Sequence, residues 1–484
     1  MASLDGHWIV IGGHDKGGIK VRAKEELSSE ELPDRLEYGA VIRETAHAGS
    51  RMEYKLVYGD GPATGWISTR IHGKDLVVQL LPPHVRQFDD RPGEEPSLTF
   101  YAISDVHVEL KDNMEWLRQL PRFDKAAVIV AGDLGVSLNQ VKQALLLFKE
   151  KFDYVFYCYG NHETWCHKSV GDEELHFHAT DSFEKLDVLR RLCEELEVIT
   201  TATLLGDVWV VPVLGWYHKS WDTEPPLARP PGQEFTHEPP PGDKFATDTG
   251  ACKWRDMANA SLELAMMLDK QNEAWGIWPL PEALVENLQK PRGERKHRVL
   301  SFSHFLPRLE LMPEKRFLFT PNLTQIVGSD FIRHRVDMLQ PDLHIFGHSH
   351  FPWDATLGDG VRYKSWPLGT PAEQARRTAS YPTEETELWY PLPVFDSLGR
   401  QYPTNAACWY SLMYTRIKRD PKSYEMAGFV ADIFCPKAPV VPASIISPGY
   451  SIPITDEEAK KRRARYEGKS NASMRREIKN WSQV

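Results

Sequence analysis

From residue 98 onward, apolar β-branched runs alternate with amphipathic stretches: SLTFYAIS, KDNMEWLRQL, AAVIVAGD, LNQVKQALLLFKEKF, YVFYCYGN. This β-α-β-α-β order predicts a layered α/β domain whose strands are largely buried. Further strands are expected at VWVVPVLGW, RVLSFSH, LHIFGHS and VRYKSWP, which carries the domain to about residue 375. Residues 1–81 read differently. Short alternating runs (IKVRA, AVIRE, YKLVYG, GWISTR) are separated by turn residues and predict a small all-β unit. Residues 82–97 are rich in proline, glycine and charge and read as a linker. A proline-rich insertion at 221–245 is expected as a surface loop beside the domain's functional edge. Past 375 the periodicity weakens. The extension 376–484 ends in a charged helix that opens with the capping box Thr455-x-x-Glu458.

The strand ends carry the chemistry. SLTFYAIS runs into Asp105 and His107, AAVIVAG into Asp133, YVFYCYG into Asn161 and His162, RVLSFS into His304, and LHIFG into His348 and His350. Each lies at the carboxyl end of its strand, the edge at which open α/β sheets bind ligands. A single histidine there is an ordinary rim residue. Five strands ending in metal-competent side chains form a constellation.

Composition narrows the class. With 41% hydrophobic and 26% charged residues over 484 positions, the chain has the make-up of a soluble protein of two or three domains. No run approaches a membrane span. Six scattered cysteines without a CxxC pair suit a reducing, cytoplasmic setting. A net charge of -10 argues against a nucleic-acid partner, since phosphate backbones need a basic footprint. The KKRRAR run near the C-terminus has acidic neighbours one turn back and reads as a solvated helix face.

The ordered set SDVH, AGDLG, YGNHE, FSHF and FGHSHF resembles the calcineurin-like metallophosphoesterases over about residues 98–370, and GPATGWIS resembles the signature of SH3-like barrels. The resemblance implies a layered metallophosphoesterase β-sandwich flanked by helices and preceded by a small SH3-like barrel. It implies two divalent or trivalent metal ions (Mn, Fe or Zn), one held by Asp105, His107, Asp133 and His350, the other by Asp133, Asn161, His304 and His348. A hydroxide between the ions would attack a phosphomonoester or small phosphodiester, with Asp133 bridging and His162 as general acid. Asn161 and His218 are the candidate substrate-binding residues, and the SH3-like unit could receive a protein partner.

The sequence departs from the family pattern in two places. Cys158 and Tyr159 stand before GNHE, where protein phosphatases carry an arginine, and LGVSLNQ follows AGD without the usual acidic or arginine residue. In LGWYHKSW, Trp216, Tyr217 and Trp221 are candidates either to stack on a substrate ring or to pack under the insertion. His218 is either a phosphate contact or a rim hydrogen-bonder. Glu163 is expected to orient His162 or cap the next turn. Two other readings compete: a non-catalytic metal-binding scaffold, and a nuclease on the same centre.

Overall fold

The computed structural model describes residues 7–10, 12–13, 16–37, 40–58, 60–72, 74–79, 98–166, 179–374, 390–403 and 408–442. The expected linker at 82–97 and the capping box at 455–458 lie outside these residues.

The N-terminal strands are β1 (His7–Val10), β2 (Val41–Ala48), β3 (Arg51–Tyr58), β4 (Thr64–Ser68), the two-residue pair β5 (Arg70–Ile71) and β6 (Lys74–Asp75), and β7 (Val77–Gln79). They form a small antiparallel sheet in the order β4-β3-β2-β1-β7, with β5 and β6 paired separately. Among the described residues this unit is a small antiparallel sheet, and the SH3-like barrel expected from GPATGWIS is not confirmed by it. Its own core gathers Val10, Val21, Leu36, Ile42, Met52, Tyr54 and Ile67. Side chains alternate along a strand. Ile67 therefore points inward and is fully buried, while its neighbour Trp66 is only partly covered.

Beyond residue 98, β8 (Thr99–Ile103), β9 (Ala126–Ala131) and β10 (Tyr154–Cys158) pair in parallel. A second sheet contains β11 (Thr203–Leu205), β12 (Val208–Pro212), β13 (Arg298–Phe302), β14 (Leu343–Phe346), β15 (Trp353–Thr356) and β16 (Arg362–Ser365), in the order β11-β12-β13-β14-β16-β15. Its central strands β12, β13, β14 and β16 are parallel. Strand β17 (Leu392–Asp396) adds antiparallel to β8, an element that the weak pattern past 375 did not announce. A bridge between Ser104 and Pro367 links the sheets, and residues of both share one hydrophobic cluster.

Every residue of β9 is buried, as its unbroken apolar run requires. Helices α1 (Lys111–Gln119) and α2 (Leu138–Lys151) make the crossovers between these parallel strands. Ser137 caps α2 by accepting from the Gln140 backbone N–H, and the Gln140 side chain accepts from Ser137 N–H in return. Val141, Leu145 and Phe148 lie buried on its inner side, each contributing about 1.5–3 kcal/mol of burial.

The proline-rich insertion forms only short 3-10 turns, as its composition dictates. It runs over the surface with most residues exposed or half-buried, and it is pinned at several points. Thr236 N–H donates to Phe434 O at 2.8 Å, Asn322 Nδ2 donates to Pro240 O at 2.9 Å, and Trp221 and Leu227 are buried. Among the described residues, no helix is long and apolar enough to cross a membrane.

Candidate metal centre

Parallel pairing puts the carboxyl ends of β8, β9 and β10 on one edge, and those of β13 and β14 on one edge of the other sheet. The chain leaves each strand through a tight turn. Asp105, His107, Asp133, His348 and His350 all have left-handed backbone, with φ of +52°, +50°, +51°, +67° and +55°. Aspartate and histidine tolerate this region better than most residues, but each such position costs on the order of 1 kcal/mol. The motif glycines answer to crowding. A Cβ on Gly132, itself at φ +80°, would enter the His304 ring, and one on Gly160 would meet the Asp133 carboxylate.

The turns bring all seven predicted ligands together. Asp105, His107, Asp133 and His350 form one group able to hold a metal ion, with ligand atoms within 4.8 Å of one another. Asp133, His304 and His348 form a second, so Asp133 is common to both. Asn161 joins the second group through Oδ1, 3.1 Å from His304 Nε2. Asp133 Oδ2 lies 3.3 Å from the same nitrogen, and His107 Nε2 and His350 Nε2 meet at 3.0 Å.

The surrounding hydrogen bonds test whether these residues suit cations. His107 Nδ1 lies 3.1 Å from Glu109 Oε1, and His304 Nδ1 2.9 Å from Ala131 O. His348 Nε2 lies 2.9 Å from Ile326 O, and His350 Nδ1 2.9 Å from Glu373 Oε2. Carbonyl and carboxylate oxygens only accept, so each of these nitrogens carries a proton and the opposite nitrogen faces the cluster. His348 Nδ1 is such an inward atom, buried and without a hydrogen-bond partner among the described residues. Four imidazoles, two aspartates and one amide oxygen, with no thiolate, form a donor set suited to divalent ions.

Electrostatics say the same. Burial disfavours charge on His107, but Glu109, Asp133 and Asp105 outweigh it and raise its pKa to about 10. For His304, burial is likewise overcome by Asp133 and Asp105, and its pKa rises to about 9. His348 goes the other way: burial and the nearby His304 lower its pKa to about 3, so its ring is neutral. Burial opposes the charged form of Asp133, yet His304 and His162 hold its carboxyl well below the usual range. His107 and His304 are therefore protonated at neutral pH, and His348 is not.

His162 stands beside this cluster. Its backbone N–H donates to Asp133 Oδ1 at 2.9 Å, and its Nε2 lies 3.9 Å from Asp133 Oδ2. The ring stacks on Trp165 at 3.8 Å between centroids, and its Nδ1 is 2.8 Å from Glu109 Oε1. Glu109 was missed in the sequence. No strand alternation marked it, because His107 has left-handed backbone and a turn at residues 108–109 brings Glu109 beside its ring. Burial opposes ionisation of Glu109, but the two histidines more than offset it and drive its pKa far down.

Glu163 does neither of the things expected of it. Its carboxylate accepts backbone N–H groups of Asp133, Leu134, Gly135 and Gly160, tying the second and third motif loops together.

His218 is not brought into the cluster. It is 1% exposed, its Nδ1 pairs with Ser220 Oγ at 2.9 Å, and its Nε2 accepts the Asp330 backbone N–H at 3.2 Å. These bonds match the rim hydrogen-bonder alternative and leave neither ring nitrogen facing a substrate. Trp216, Tyr217 and Trp221 are buried, in keeping with packing rather than substrate stacking.

Residues 98–264 match the family described as calcineurin-like phosphoesterase. The chain is 26% identical over 306 residues to the acyl-carrier-protein phosphodiesterase PptH of Mycobacterium tuberculosis, a match covering 59% of this chain and 81% of that protein. The crystal structure of the phosphopantetheinyl hydrolase PptH from the same organism matches at 20% identity and a TM-score of 0.42, over 58% of this chain and 92% of that one. A dimetal phosphatase from Danio rerio matches at 12% identity and a TM-score of 0.27, over 56% and 87%. At these TM-scores the structural matches stand as likenesses only. The chain carries a calcineurin-like phosphoesterase domain and is a hydrolase acting on phosphoester bonds.

Proposed function

We propose that the protein is a binuclear metal-dependent phosphoesterase, with Asp105, His107, Asp133 and His350 holding one ion and Asp133, Asn161, His304 and His348 the other. The observation that carries this reading is the hydrogen-bonding of the four imidazoles, each with one nitrogen held by an oxygen outside the cluster and the other facing in. Bound ions would draw charge from the phosphoryl oxygens and acidify a water for attack on phosphorus. The chain's own residues do the rest. His162 presents Nε2 to the departing oxygen and gives it a proton, while Glu109 keeps Nδ1–H fixed and Trp165 holds the ring plane.

The substrate is a phosphomonoester or a small phosphodiester; the mycobacterial relative, named a phosphodiesterase, supports the diester. Mn, Fe or Zn suits the donors. An SH3-like barrel and a protein partner for it rest on Gly65, Trp66, Ile67 and Ser68 alone. Metal analysis of the purified chain, with hydrolysis of chromogenic mono- and diesters under added Mn, tests the whole reading. About two ions per chain and metal-dependent turnover are expected; no turnover with any divalent ion contradicts it.

Two further outcomes follow. Ion uptake should release protons at pH 7, because His107 and His304, raised to about 10 and 9, are protonated in the ion-free cluster. Affinity should therefore rise with pH toward those values and fall in acid. Calorimetric Mn titration in two buffers of different ionisation enthalpy measures the protons released, and none released would refute it.

Glu109→Gln should lower turnover of alkyl phosphoesters by about 10–100-fold, the usual cost of losing an outer-shell partner. Glu109 touches both His107 and His162. A larger loss on alkyl than on nitrophenyl esters assigns its effect to His162, and equal loss on both assigns it to His107.

A further inference from the structure

Asp248 opens the short helix Asp248–Ala251 and is 4% exposed, yet belongs to neither ligand group. Its Oδ1 accepts from Asn161 Nδ2 at 2.9 Å and from Trp165 Nε1 at 2.6 Å. Its Oδ2 accepts the Tyr217 hydroxyl at 2.7 Å, and that hydroxyl in turn accepts from Asn259 Nδ2. Two of these donors belong to the GNHE turn, while Tyr217 and Asn259 come from segments far along the chain.

This arrangement settles two orientations at once. An asparagine amide has a donor end and an acceptor end of nearly equal shape, so its direction is set by its partners. With Nδ2 tied to Asp248, the oxygen of Asn161 is left facing His304 Nε2 at 3.1 Å. The same carboxylate oxygen anchors the indole on which the His162 ring stacks at 3.8 Å. Were the amide to turn over, it would present N–H groups to a cation and cease to be a ligand.

We propose that Asp248 is a positioning residue that fixes Asn161 oxygen-inward and holds Trp165 against His162. The proposal rests on the binuclear reading of Asn161 and His162 given above. It places a residue outside the strand-end motifs in control of one ion only.

The test is calorimetric titration of the metal-free full-length chain with Mn(II) alone, alongside thermal melting of the metal-free protein. Wild type is expected to take up two ions. Asp248→Ala should weaken one binding step by about 10–100-fold and leave the step at Asp105, His107 and His350 at its wild-type affinity. Asp248→Asn, whose amide oxygen still accepts from both Asn161 and Trp165, should recover most of the lost affinity. If Asp248→Ala does not fold, Asp248→Ser, too short to reach both N–H groups, carries the same expectation.

Wild-type affinity for both ions in the truncated variant would overturn the proposal and leave the binuclear reading standing. Equal weakening of both steps, or no recovery in Asp248→Asn, would also overturn it by assigning Asp248 a general structural role. Failure of the wild type to take up Mn would strike the underlying reading instead.

Discussion

Asp133→Asn is expected to abolish most phosphoester hydrolysis, by about 10³-fold or more. Asp133 alone belongs to both ligand groups, and its Oδ2 lies 3.3 Å from His304 Nε2. An amide in its place would present one oxygen instead of two and remove a negative charge from the residue common to both ligand groups. Metal-ion stabilisation of the transition state is worth several kcal/mol, and each ~1.4 kcal/mol is a factor of ten in rate. Metal content should fall from about two ions per chain to one or fewer. The substitution is nearly isosteric, although Asp133 Oδ1 also accepts the His162 backbone N–H at 2.9 Å, which an amide oxygen can still do. Turnover and metal content should be read together. A variant that keeps two ions and full turnover would remove Asp133 from the centre.

His162→Asn should lower turnover by about 10²–10⁴-fold on esters with alkoxide leaving groups, the range for loss of a positioned general acid. The fall should be far smaller on nitrophenyl esters, whose leaving group departs without a proton. Metal content should stay near wild type, because His162 lies beside the ligand groups with Nε2 3.9 Å from Asp133 Oδ2. A rate loss independent of the leaving group would mean that the ring contributes packing on Trp165 rather than a proton. Together the two substitutions test separately whether Asp133 gathers ions and whether His162 serves the leaving oxygen.

Much of the centre was legible because strand order and strand ends are local signals. The unbroken apolar runs marked buried parallel strands, and the polar residue after each run marked the edge at which they converge. Residues that support the centre were less legible in proportion to their distance from those motifs. Glu109 lay only two positions past His107, but a turn rather than strand alternation brings it beside that ring. Glu373 and Asp248 sit in segments with no periodicity, so nothing nearby assigned them to His350 or Asn161. His218 shows the converse: a histidine after an apolar strand looks like a site residue, but its ring is taken up by Ser220 and the start of the helix Asp330–Leu339.

By itself the amino-acid order determined which side chains could meet ions, since residue type and strand-end position are properties of short stretches. Tertiary structure alone decided which nitrogen of each imidazole faces inward, which end of the Asn161 amide does, and which carboxylates stand behind them. Those choices depend on hydrogen-bond partners up to 173 positions away, and the packed sheets bring such distant partners within about 3 Å.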